Sequence, residues 1–183
     1  MKLSFIEVLK YFLTIVVITF LTFFFHELFH WIGYEILGYD AGFTLNGASV
    51  KDSNIELPKS HRMLTNALGP LFTMAQAFVF FMILKKHKNI YLYPFLFIPF
   101  LMRLGATWAN QFQPNDEGRI SLDLGLNLYT ISAVVVGILF FLVFKISRNN
   151  KIPMLVNLIT LVLSIIAIMG HVYLDFKFKV RFV

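Results

Sequence analysis

Ile15-Val16-Val17-Ile18-Thr19-Phe20-Leu21-Thr22-Phe23-Phe24-Phe25-His26-Glu27-Leu28-Phe29-His30 is apolar almost to its end, then sets three ionisable side chains within five positions. The apolar run extends from about Tyr11 to Leu37, enough for a bilayer core of about 30 Å, which takes ~20 helical residues. Ionisable groups in such a span are costly to bury, so function is the first explanation for them. On a helix His26 and His30 share one face, one turn apart, as two ligands of a single zinc ion would. Glu27 beside them is a candidate general base. With five histidines and five glutamates in 183 residues, chance placement of H-E-x-x-H in the chain is about 0.004. The plainer alternative is a pair of interfacial histidines with a helix-end glutamate.

The rest of the chain agrees with a membrane setting. Hydrophobic residues make up 58% of it, Phe alone 22, charged residues only 14%, and the mean hydropathy is +0.73. A soluble domain of this size cannot hide that much apolar surface, so the class is all-α integral membrane. Without cysteine there is no disulfide, thiolate ligand or thiol nucleophile. The formal charge of +6 speaks to topology and anionic lipid, not to nucleic acid. Lys2 leads into the first apolar run, but no small-x-small cleavage site follows, and we read that run as a retained span.

The sequence predicts about five spans in a single polytopic domain, residues 1–183: about 11–37, 63–84, 90–108, 124–144 and 152–174, the third interrupted by Arg103. The N-terminus and the short basic loops after spans two and four share one face, side B. Alternation puts the end of span one, the 40–62 loop, the 111–121 loop and the C-terminal tail on side A. Side B holds eight lysines and arginines, Lys2 among them, and side A seven. The positive-inside rule therefore assigns neither face to the cytoplasm. From Tyr11 to His26 is about 22 Å of helix, which puts His26 roughly 8 Å inside the side A boundary.

On side A, Asn46-Gly47 between short β-compatible runs is a hairpin signal, since both residues tolerate positive φ; an irregular polar loop is the alternative. From Phe176 the tail alternates apolar and basic residues, as a further strand or a basic foot on anionic headgroups would.

A catalytic zinc needs three protein ligands and an open position. His87 falls on side B. His61 on side A directly precedes Arg62, and His171 lies one turn from the side A end of span five. The best-placed candidates are Asp116 and Glu117, in a polar side A loop between two spans. Their plainer reading is helix capping, with Asn115 as the cap of span four and two acids complementing its dipole. Asn66-Ala67-Leu68-Gly69-Pro70 opens span two on the same side, where Gly-Pro permits a kink or a close helix approach.

His26-Glu27-Leu28-Phe29-His30 with its apolar sequel to Gly38 resembles the motif helix of the site-2 protease family of intramembrane zinc metalloproteases. Gly69-Pro70 resembles that family's Gly-Pro element, and Asp116-Glu117-Gly118-Arg119-Ile120 its Asp-Gly-Gly-Arg-Ile-like stretch. The resemblance covers roughly residues 12–145, with three short specific patches. It implies one Zn2+ per chain held by His26, His30 and Asp116, with Glu117 as runner-up, and Glu27 as the catalytic base. It also implies substrate contacts from Gly69, Pro70 and the nearby Asn66; independently of it, the Asn46-Gly47 hairpin is a candidate to hold an unwound substrate segment by strand addition. The chain departs at Glu117, where many members have glycine, and at Thr73, where many have asparagine; Asn66 and Gln76 lie nearby as substitutes.

The expected function is zinc-dependent endopeptidase cleavage of membrane-spanning proteins or peptides, in the inner membrane of a bacterium. The expected partners are substrate and the lipid bilayer, with homo-oligomer formation left open. A catalytically silent relative acting as scaffold or chaperone is the alternative. A di-iron hydroxylase would need several histidine boxes, and a proton-coupled transporter finds no inverted repeat here.

Overall fold

In the computed structural model, residues 4–183 are described; Lys2 lies outside them. Helix α1 (Phe5–Ile36) begins in a capping box between Ser4 and Glu7 and leads into a hairpin of β1 (Ala41–Thr44) and β2 (Gly47–Val50). Four further apolar helices follow: α2 (Lys59–Lys86), α3 (Pro94–Ala109), α5 (Thr130–Asn149) and α6 (Met154–Phe178), with the short α4 (Asp116–Asp123) between α3 and α5. Five helices are long and apolar enough to cross a membrane, and the protein is a multi-pass helical membrane protein with a small two-stranded sheet after the first helix.

Amphipathicity is inverted in α1. Thr19, Thr22, His26, Glu27 and His30 are buried, while Val17, Phe20 and Phe25 face outward. Lipid receives the apolar faces, and the interior takes the groups that need partners. The apolar core lies toward side B, where Phe81, Leu84, Tyr93, Leu139 and Ile146 join α2, α3 and α5. Ile15, Ile18, Ile98 and Ala167 join α1, α3 and α6. Buried side-chain bonds tie the helices across this core. Tyr11 Oη lies 2.8 Å from Thr160 Oγ1, and Gln76 Nε2 donates to Thr22 Oγ1 and to Phe95 O, each at 3.0 Å. Such bonds average about 0.6 kcal/mol in membrane proteins. Their value is in fixing register between helices that lipid does not push together.

Several boundaries differ from the sequence expectation. The fourth span begins at Thr130, not Leu124, because Gly125 at φ +74° closes α4. Leu126 N–H donates back to Ser121 O at 2.8 Å, the six-to-one bond of a glycine-terminated helix. Asn115 therefore caps α4, accepting from Gly118 N–H at 2.7 Å, and does not cap the fourth span. In span three only a 3₁₀ turn, Ile90–Leu92, precedes Pro94, whose fixed φ suits the first helical turn.

The hairpin forms, but one residue out of the expected register. Thr44 pairs with Gly47, so the turn residues are Leu45 and Asn46, and neither has positive φ. One grip from within the hairpin and one from α6 replace the Asn-Gly geometry. Thr44 Oγ1 accepts from Asn46 N–H at 3.3 Å. Helix α6 holds Leu45 by both backbone groups: Leu45 N–H donates to Asp175 Oδ1 at 2.9 Å, and Leu45 O lies 2.7 Å from His171 Nε2. His171 and Asp175 are four apart and so share one face of α6.

In the tail, α6 continues to Phe178 and ends at Lys179, φ +43°. Phe182 then bridges Phe43, with backbone bonds of 2.8 and 3.3 Å. One edge of the hairpin is thereby covered. Hairpin, tail, α4 and the start of α2 gather at one end of the bundle, with Arg62 and Asp123 paired across it.

Candidate metal centre

Helix α1 sets the two histidine rings nearly perpendicular, 4.6 Å between centroids, with Nε2 atoms 3.1 Å apart. Asp116 arrives from 90 residues away because two asparagines hold the loop before it. Asn115 caps α4 at that residue, and Asn110 Oδ1 accepts from Asn115 N–H at 2.6 Å. Asp116 Oδ2 then lies 3.2 Å from His26 Nε2 and 3.5 Å from His30 Nε2.

The partners assign the tautomers. His30 Nδ1 lies 2.7 Å from Thr65 O, which can only accept, so Nδ1 carries a proton and the neutral ring keeps its lone pair on Nε2. Arg103 Nη2 donates to His26 Nε2 at 3.4 Å, which puts a lone pair there too. Two imidazole nitrogens and a carboxylate oxygen thus converge in a group that could hold a metal ion. Four ligands around zinc at 2.0–2.1 Å are separated by about 3.3 Å, and the three donors here stand 3.1, 3.2 and 3.5 Å apart. The donor set fits a zinc ion.

Charge points the same way. Glu27, Asp116 and Glu117 bring three negative charges, and Arg103 brings one positive. With neutral histidines the cluster carries two uncompensated negative charges, which a divalent cation balances.

Glu117 does not turn toward the histidines. It is 2% exposed and accepts from Arg103 Nη1 at 3.2 and 3.4 Å, while the same nitrogen donates to Asp116 Oδ2 at 3.2 Å. The two adjacent acids therefore divide the work: Asp116 joins the donor triad, and Glu117 neutralises the arginine. Glu27, 6% exposed, forms no side-chain hydrogen bond among the described residues. It lines a cavity of about 650 Å³ together with the triad, Arg103, Asn66, and Asn46-Gly47-Ala48 of the hairpin.

Gly69 and Pro70, expected at the substrate, do not line this cavity. Gly69 supplies clearance instead: a Cβ there would run into His30 Nε2 and lie 2.6 Å from His26 Cε1. If the triad holds zinc, Gly69→Ala is therefore expected to leave a folded protein that binds it roughly 10- to 100-fold more weakly, since overpacking costs about 1–3 kcal/mol. Metal content after dialysis against a graded zinc buffer measures this, and full retention at wild-type affinity would refute the clearance role.

The other histidines are used elsewhere. His61 Nδ1 bonds Tyr39 Oη at 2.8 Å, His171 holds Leu45, and His87 caps the side B end of α2. Gln76 ties three helices together, and Thr73 turns its hydroxyl back onto Pro70 O at 2.9 Å, so of these three residues only Asn66 lines the cavity. Arg103 is the main functional candidate that the spacing of motifs does not find. Its signal was present, since an arginine at a membrane-helix centre costs about 2.5–3.5 kcal/mol on insertion scales and needs a partner. No protein-family model, curated protein or solved structure matches the chain.

Proposed function

We propose that this protein is a zinc-dependent intramembrane endopeptidase of the site-2 protease kind, set in a bacterial inner membrane. The observation that carries the reading is the convergence of His26 Nε2, His30 Nε2 and Asp116 Oδ2 within 3.5 Å of one another beside an unpaired, buried glutamate on a cavity. His26, His30 and Asp116 would hold the ion. Bound zinc supplies Lewis acidity and lowers the pKa of water to about 7. Glu27 takes the proton as water attacks the peptide carbonyl, then gives it to the leaving amine. Thr65 O keeps the His30 tautomer correct through its bond to Nδ1.

A transmembrane substrate must unwind locally before its carbonyls can be attacked, and the free edge of the hairpin is suited to hold the unwound segment. Phe43 spends its N–H and C=O on Phe182, away from β2. Its cross-strand partner Ala48 then aims its own backbone groups at the opposite edge. Ala48 lines the cavity, so strand addition there delivers main-chain bonds beside Glu27 without strict sequence preference.

Zinc analysis of wild type, His26→Ala and Asp116→Ala is the direct test, paired with cleavage of a fluorescently labelled unfolded casein in detergent. One zinc per chain, bound about a hundredfold more weakly in both variants, together with wild-type cleavage supports the reading. Full zinc with no cleavage would favour a silent scaffold. Ala48→Pro removes one outward N–H and leaves the inner ladder in place. It is expected to retain zinc and to cut casein at least tenfold more slowly; unchanged cleavage would sink the edge-binding idea.

A further inference from the structure

We propose that Arg103 is a catalytic residue, the donor that receives the negative charge developing on the scissile carbonyl oxygen, and that Glu117 holds it for that task. This rests on the peptidase reading above. A plain counter-ion would be spent on its acids, and Arg103 is not. Of its five N–H groups, Nη1 uses its two on Asp116 and Glu117. Nη2 makes one bond, to His26 Nε2, and Nε is buried with no partner.

The His26 bond is the informative one, because a single lone pair on Nε2 cannot serve a guanidinium and a metal ion together. If His26 is a ligand, Nη2 is released with two free donors, in a side chain that is 3% exposed yet lines the cavity. Glu117, itself 2% exposed, keeps hold of Nη1 throughout. The result is a neutral, clamped pair with its unused donors next to Glu27 and the triad, which is how a preorganised oxyanion site is built.

The step balances as an ordinary hydrolysis. As the water oxygen bonds to the carbonyl carbon, its proton passes to Glu27 and the C=O π pair moves onto the carbonyl oxygen, where Nη2 donates. When the pair returns, the C–N bond breaks, and Glu27 delivers the proton to the departing nitrogen.

The experiment compares wild type, Arg103→Gln, Arg103→Lys and the double variant R103Q/E117Q, each purified in detergent and assayed for zinc content, kcat and KM on labelled casein. The expected result is one zinc per chain in Arg103→Gln with kcat down 10²- to 10³-fold and KM within threefold. Lysine should recover at least tenfold of that loss, since it restores charge without the fork. Equal kcat at full zinc would overturn the proposal. Loss of zinc in Arg103→Gln would overturn it too, by assigning Arg103 to the positioning of Asp116. The double variant removes the stranded glutamate charge that could unfold the single one; failure of both to fold assigns Arg103 to structure and overturns it as well. Failure of the underlying reading looks different: wild type would bind no zinc, or Glu27→Gln would cleave casein normally.

Discussion

Under the proposed function, Glu27→Gln is expected to reduce peptide cleavage by about 10²- to 10⁴-fold while leaving one zinc per chain. The magnitude is the usual contribution of a positioned proton acceptor. Glutamine nearly matches glutamate in shape, so packing is a minor variable. Glu27 forms no side-chain hydrogen bond among the described residues, so the substitution strands no partner. Nor is the residue part of the donor triad of His26, His30 and Asp116, and metal should remain. Cleavage of labelled casein and zinc content, measured on one preparation, check both halves. Persistence of cleavage within threefold would remove Glu27 from the mechanism.

Asp116→Ala and Glu117→Ala, adjacent substitutions of the same charge, should fail in opposite ways. Under the proposed function, loss of Asp116 takes one of three protein ligands. If zinc binding is worth about 10–16 kcal/mol over a full ligand set, one ligand accounts for about 3 kcal/mol, roughly a hundredfold in affinity. The fold should survive, because Arg103 keeps its bonds to Glu117. Loss of Glu117 leaves the triad intact and strands a guanidinium that is 3% exposed. Breaking a buried pair by removing one partner costs about 3–5 kcal/mol, so Glu117→Ala should bind zinc when folded but unfold at markedly lower temperature. Zinc titration and thermal unfolding of the two proteins in the same detergent separate them. If Glu117→Ala lost zinc and Asp116→Ala kept it, the two acids would have to exchange roles.

The membrane architecture was legible because lipid imposes a length and a composition that few other settings require. The two histidines and Glu27 were legible because a helix fixes their relation locally. What lay beyond reach depended on groups distant in sequence. The turn at Leu45-Asn46 sits one residue from the Asn-Gly signal because His171 and Asp175 grip Leu45 from α6. The split between Asp116 and Glu117 turns on Arg103, 13 and 14 positions back on another helix. The α4 boundary was different in kind: Gly125 was in plain view, but its neighbours Leu124 and Leu126 read as the start of a span. The clearance at Gly69 is invisible in sequence, since it is set by two rings on α1.

The grip of α6 on the hairpin also has a consequence in time. Leu45 leaves the ribosome 126 residues before His171 and 130 before Asp175. At about 5–20 residues per second, that interval is on the order of ten seconds. Throughout it, the first span with its two histidines and the hairpin can already be in the bilayer while the turn at Leu45 lacks its hold from α6. Only when the last helix inserts is that turn held. Under the proposed function, the enzyme cannot grasp an unwound segment, its own later spans included, until its own synthesis has brought the last helix into place.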